Sequence, residues 1–335
     1  MTPPLRLLVV KTSSLGDVIH MLPALSDAAQ ALPALQADWL VEESFAAIPA
    51  WHPAVNQVIL LAMRRWKRQW TQASAWREAV AVRSRLRSQA HELVVDSQGL
   101  VKSAVWARMA RGLRCGYDRF SAREPLAALF YNRHVSVPRD LHAIERNRRL
   151  LAQALGYSVP HTAPDYGLQG LSARLRSRPA LAAALPQLPA RYVVGLHGTS
   201  RADKEWSQAH WVALAQALAS AGCPLLLPWG NDREHQRASQ IAQAAPGTQV
   251  LPALDLDSIA CVLDASAAVI GVDTGLMHLA AALGRPGLAL YTATRPALTG
   301  AVSDRHARGA LRNCESPAEL RADAVISATL GLLSS

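Results

Sequence analysis

The chain has 335 residues, half of them hydrophobic and 18% charged, a balance that excludes a disordered polypeptide and leaves room for two domains with separate cores. Its four cysteines, Cys115, Cys223, Cys261 and Cys314, are widely scattered, with neither a C-x-x-C nor Cys/His spacing, so neither a disulfide framework nor a metal site is expected. The net charge of +10 is uneven: residues 1–150 hold 21 Lys and Arg against 12 Asp and Glu, leaving 14 against 13 for the remainder.

No apolar run is long enough to span a bilayer or to serve as a secretory signal, which predicts a cytoplasmic location. In chain order, the apolar run 5–10 reads as a strand and 16–32 has helical spacing. Strands follow at 38–43 and 57–62, then a helix over about 73–90, a strand at 92–96 and a helix from about Leu100. The helical stretch 141–156 ends at Gly156 and runs into 157–167, whose Pro and Gly content marks a linker. The pattern then restarts: strands at 191–198, 224–230, 267–273 and 287–292 alternate with helices from about Ser207, Asp232 and Gly275. Such alternation predicts an α/β protein of two similar halves, each a parallel sheet covered by helices on both faces. The expected domains are 1–160 and 170–315, with 316–335 as a helix returning toward the first domain.

In such sheets, ligands sit outside the carboxyl ends of the strands, where helix N-termini aim backbone amides outward. At 271–286, GVDTGLMHLAAALGRP, a strand delivers Asp273, Thr274 and Gly275 to that edge, with His278 one turn on. Gly275 allows close approach, the amides favour an anion, and Asp273 can accept from hydroxyls; an Asp helix cap and a packed histidine are the bland alternatives. HGTSRADKEW (197–206) adds Thr199, Ser200 and Lys204, and PWGNDREH (228–235) adds Trp229 and Glu234, a carboxylate suited to ribose. Trp206 reads as a packing residue at a helix entry. Three consecutive strand ends of this kind point to a nucleoside diphosphate ligand. In the first half, VVKTSSLGDVIH (9–20) has a single glycine where a dinucleotide-binding fold would show three, so NAD is not supported. Asp17 stands in the first turn of the helix, either as a cap or as a general base for an acceptor hydroxyl.

The segments VKTSSLGDVIHMLPALSDA, DWLVEESFAAIPAWHPAV, RRWKRQW, DSQGLVKSA, AREPLAALFYNR, TSRADKEW, LPWG and VDTGLMHLAAALGRP resemble, in order and over nearly the whole chain, the lipopolysaccharide heptosyltransferases of glycosyltransferase family 9. The resemblance implies a GT-B fold, two Rossmann-like α/β/α domains facing across a cleft. It implies transfer of L-glycero-D-manno-heptose from ADP-heptose to the first Kdo of Kdo2-lipid A, with inversion and without a metal or other cofactor. By the same resemblance Asp17 is the catalytic base. Thr199, Ser200, Lys204, Glu234, Asp273, Thr274, Gly275 and His278 bind the donor, while Ser13, Ser14, Arg64, Arg65, Lys67, Arg68 and Arg123 serve the acceptor. The basic first half then meets Kdo carboxylates, lipid A phosphates and the anionic face of the inner membrane, to which a monomer attaches peripherally.

One stretch departs from the family pattern: where the family reads close to YGPTDP, this chain has YTATRP (291–296). Two rival readings are a transferase acting on a later heptose and, from the arginines interleaved with Trp66 and Trp70, a nucleic-acid-binding module. The two-domain α/β pattern with its donor-type strand ends speaks against nucleic acid.

Overall fold

The computed structural model describes residues 5–199 and 201–334. It divides into two compact units, Met1–Gly167 and Leu168–Ser335. The first is built on β1 (Leu5–Val10), β2 (Leu35–Glu42), β3 (Val55–Leu61), β4 (Ala90–Asp96), β5 (Arg111–Tyr117) and β6 (Arg133–Val135), all paired parallel in the order β3-β2-β1-β4-β5-β6. The second uses β7 (Val193–Leu196), β8 (Leu225–Leu227), β9 (Gln249–Val250), β10 (Ala268–Val272), β11 (Gly287–Leu290) and β12 (Leu311–Cys314), again parallel, in the order β12-β11-β10-β7-β8-β9. Counted from its own first strand, the second sheet repeats the order of the first. Both are doubly wound Rossmann-like sheets, whose chain reverses direction between β1 and β4 and between β7 and β10.

The central strands are unbroken apolar runs because both faces of a parallel sheet are covered. Leu7, Leu8, Val9 and Val10 are wholly buried in β1, as are Ala268, Val269, Ile270 and Val272 in β10. The helical run expected over 16–32 is two helices, Leu15–Ile19 and Leu22–Ala31. Pro23 explains the break: in the first turn of the second helix its missing N–H costs nothing, whereas inside a continuous helix it would remove a bond.

The C-terminal segment belongs by its packing to the second unit. Helix Ala322–Ser334 packs against helix Gln208–Ser220 and strands β10 and β11. Val325 is buried in the second unit's core, with Ile326, Leu330 and Leu333 packed around it. Its apolar side chains find their complement on the second unit's sheet.

Candidate active site

The two reversal points organise the chemistry. At the first, β1 runs into Lys11–Ser14 and β4 into Ser97–Gly99, and these two loops are bonded together. Gln98 Oε1 accepts the Thr12 and Ser13 amides at 3.2 and 3.3 Å, and buried Lys11 donates from Nζ to the Ser97 carbonyl at 2.9 Å. Beneath them, Asp96 is fully buried and takes four bonds. The amides of Gln98 and Gly99 donate to Oδ1 at 2.8 and 3.4 Å, and the hydroxyls of Ser103 and Tyr131 to Oδ2 at 2.8 Å each. Burial pushes the Asp96 carboxyl above its ordinary range despite these donors, and burial likewise pulls the Lys11 ammonium down against the favourable charges of Asp17 and Asp96.

This platform presents Asp17. Ser14 is the N-cap of helix Leu15–Ile19, and its amide and hydroxyl both donate to Asp17 Oδ2 at 2.9 Å, closing a capping box. The Ser13–Ser14 peptide is cis. The capping reading of Asp17 is therefore realised, and the same two bonds orient a half-exposed carboxylate at the sheet edge. Arg123 is brought to this edge by Gly99, which holds a φ of +65° and whose Cβ, if it had one, would meet the Arg123 amide at 3.3 Å.

At the second reversal point, β10 delivers Asp273, and the helix cap that follows is Thr274, not Asp273. The carboxylate is thereby left for side chains: Lys204 Nζ and Thr294 Oγ1 each donate to Asp273 Oδ2 at 2.7 Å. Burial pushes Asp273 upward, but these bonds and the lysine charge outweigh it and hold the carboxyl below its ordinary range. His278 lies buried one turn into helix Gly275–Ala282, with Nε2 4.0 Å from Asp273 Oδ1. From β7, Thr199 Oγ1 donates to the Asp273 carbonyl at 3.3 Å. Ser200, also assigned to this side, lies outside the described residues. From β8, Glu234 enters helix Asp232–Ala244 and accepts the Gly230 amide at 2.8 Å. Its carboxylate lies against Gly198, where a Cβ would come within 2.5 Å of it. One second-unit edge thus gathers Thr199, Lys204, Glu234, Asp273, Thr274, Gly275 and His278.

Trp229 is held by packing, with its indole donating to the Leu251 carbonyl at 2.7 Å and its ring edge-on to His235 at 4.6 Å. Trp206 is buried at the entry to helix Gln208–Ser220 and donates to the Leu320 carbonyl, in keeping with its packing role. Sequence reasoning missed three contributors: Gln98, Asp96 and Thr294. The last sits in the divergent 291–296 stretch, and no local signal distinguishes any of them.

The basic segment forms helix Met63–Arg68. Arg64, Lys67 and Arg68 are exposed, with the Arg64 guanidinium 5.3 Å from the centre of the Phe45 ring. Arg65 differs: its guanidinium forms paired bonds to both Glu43 and Glu78, so its charge is matched inside the protein. Trp66 packs on Trp106 and donates to Glu78 at 2.8 Å, which removes it from any base-stacking role.

The family model for glycosyltransferase family 9 (heptosyltransferase) matches residues 79–324. The chain is 48% identical over 298 residues to lipopolysaccharide heptosyltransferase 1 of Pseudomonas aeruginosa, covering 89% of this chain and 81% of that protein. It is 46% identical over 297 residues to the Escherichia coli K12 protein of that name, covering 88% and 90%. The solved E. coli heptosyltransferase WaaC with ADP superposes with a TM-score of 0.88 at 42% identity, covering 98% of this chain and 100% of that one. The same enzyme with ADP-2-deoxy-2-fluoro heptose gives 0.84, covering 98% and 99%. With two doubly wound parallel sheets, the architecture is the GT-B fold. The chain belongs to glycosyltransferase family 9, the heptosyltransferases.

Proposed function

We propose that this protein transfers L-glycero-D-manno-heptose from ADP-heptose to the first Kdo of Kdo2-lipid A, in building the lipopolysaccharide inner core. The observation that carries this reading is the Lys204–Asp273 pair at the second sheet's reversal point, flanked by Glu234 and helix-start amides, in a chain so similar to enzymes solved with ADP and an ADP-heptose analogue.

In this reading Lys204 leaves Asp273 for the diphosphate when the donor enters, and Asp273 is freed to accept from heptose hydroxyls. Glu234 takes the ribose, while Thr199, Ser200, Thr274, Gly275 and His278 complete the donor surround. Asp17 removes the proton from the acceptor hydroxyl, whose oxygen forms the new bond to the anomeric carbon as the bond from that carbon to the phosphate oxygen breaks. ADP departs with the electron pair. A single displacement of this kind inverts the anomeric centre. Lys204 and the amides at the start of helix Gly275–Ala282 oppose the charge growing on the leaving diphosphate, which lessens the demand for a divalent cation. Ser13, Ser14, Arg64, Lys67, Arg68 and Arg123 would meet the anionic acceptor, and Arg65, matched by two carboxylates, would hold the segment in place. An acceptor built on lipid A brings the enzyme to the cytoplasmic face of the inner membrane.

The test is ADP release from ADP-heptose with delipidated Kdo2-lipid A as acceptor, with Asp17→Ala and an acceptor-free reaction alongside. The expected result is release that requires acceptor and falls at least a thousandfold in Asp17→Ala, while ADP binding persists. Equal release without acceptor, or full activity in the variant, would overturn the mechanism.

A further inference from the structure

Among the described residues, nine large apolar side chains are well exposed, and all but Leu298 belong to the first unit. Two are tryptophans close in sequence, Trp70 at 67% and Trp76 at 63% exposure, with Val80 at 59%. Trp76 and Val80 lie on helix Ala73–Ser88, whose sheet-facing stripe is Ala75, Ala79, Val82 and Leu86, with Leu86 in the core under β1 and β4. One residue on, at the same helical spacing, runs a second stripe: Trp76, Val80, Arg83 and Arg87, all exposed. Over 63–88 the chain carries eight basic residues and one acid, Glu78, which is already paired with Arg65. The transfer reaction gives no role to Trp70, Trp76, Val80, Arg83 or Arg87.

We propose that this stripe, with Trp70, is a docking surface that seats the first unit on an anionic lipid bilayer. A basic helix exposing tryptophan beside arginine has the composition of elements that lie in the headgroup region, where indoles sit at the boundary and arginines meet lipid phosphates. The indole N–H of Trp76 already donates to the Trp70 carbonyl at 2.8 Å, so moving that ring out of water leaves no orphan donor. The surface is a protruding helix face, not the groove lined with aromatic rings that tracks a single-stranded nucleic acid. No helix among the described residues is long and apolar enough to cross a membrane, so this surface lies on the bilayer and does not span it. The choice of a bilayer also rests on the reading above, in which the acceptor is lipid-borne, and the experiment separates the two.

The test is cosedimentation of the full chain with vesicles of phosphatidylethanolamine and phosphatidylglycerol, against vesicles of phosphatidylcholine alone, for wild type, Trp70→Ser/Trp76→Ser and Arg83→Glu/Arg87→Glu. ADP release on the delipidated acceptor is measured in parallel. The wild type is expected to bind the anionic vesicles and to lose binding as salt rises toward about 0.5 M. Each double variant is expected to bind them at least tenfold more weakly, with ADP release on the soluble acceptor unchanged. Unchanged vesicle binding in both variants, equal binding to neutral vesicles, or binding to single-stranded RNA in preference to vesicles would overturn the proposal. Loss of ADP release from the wild type itself would count against the transfer reading and leave the docking result to stand alone.

Discussion

Lys204 and Asp273 neutralise each other across 2.7 Å, and the proposed function asks one of them to meet phosphate and the other sugar hydroxyls. On that proposal the pair opens before the donor seats, so part of the donor's binding free energy would go into breaking it. The two partners should therefore respond to mutation in opposite ways. Lys204→Ala removes a charge-assisted contact to the diphosphate, and ADP affinity is expected to fall about tenfold to a hundredfold. Asp273→Asn releases the lysine, so ADP is expected to bind as well as in wild type or more tightly, while kcat/KM for ADP-heptose drops at least tenfold. Calorimetric titration with ADP, run beside kinetics, checks both. Weaker ADP binding in Asp273→Asn would show that the aspartate holds the lysine in place and does not compete for it. Thr294 belongs to the same cluster, and nothing in the local sequence reveals it. It lies 21 residues beyond Asp273, in a stretch that departs from the family pattern, and only the parallel pairing of β10 with β11 brings it back to the carboxylate.

At the scale of loops and strands, what the sequence discloses depends on burial. Strands β1, β4, β7, β8, β10 and β11 read directly because parallel strands covered on both faces must be apolar throughout. The remaining strands on the β4 side of the first sheet escape for the converse reason: β5 is RGLRCGY, with two arginines, two glycines and an exposed start, and β6 is three residues long. Edge strand β12, LRNC, is exposed at its centre. The candidate site divides in the same way. Asp17, Lys204 and Asp273 follow from their positions after recognisable strands, but Gln98 does not, because its task is to hold a loop 86 residues earlier in the chain. That task is testable. Gln98→Met keeps the length of the side chain and loses the acceptor, which leaves the Thr12 and Ser13 amides without their partner. It is expected to lower kcat about tenfold with KM for ADP-heptose unchanged, since the donor groups belong to the other unit. Gln98→Glu, which retains an acceptor oxygen, is expected to recover most of kcat. An equal loss in both variants would mean that the side chain acts only through packing.

Across the whole molecule, the first unit carries most of the excess positive charge, and the second carries a titratable group folded into its core. His197, at the end of β7, is entirely buried and edge-on to Trp211 at 6.5 Å. Burial, reinforced by the nearby charge of Arg237, pulls its imidazole from 6.5 down to about 4. Between those two values the unfolded chain takes up a proton that the folded chain refuses, so stability rises with pH across that window. The contribution is complete above pH 6.5 and is lost as the pH falls toward 4. Its size is about 2 kcal/mol by pH 4.5. Asp273, whose carboxyl is held below its ordinary range, adds a loss of the same sign at lower pH, as its pairing with Lys204 is titrated away. Urea unfolding at pH 7 and pH 4.5, for wild type and His197→Leu, isolates the histidine, because Leu cannot take up the proton in either state. The variant can be less stable at both pH values without affecting the test. What is read is the drop between them, expected to be about 2 kcal/mol smaller than in wild type. An equal drop in the two proteins would mean that His197 is protonated in the fold or finds water on acidification, and would place the acid sensitivity of the second unit on its other titratable groups.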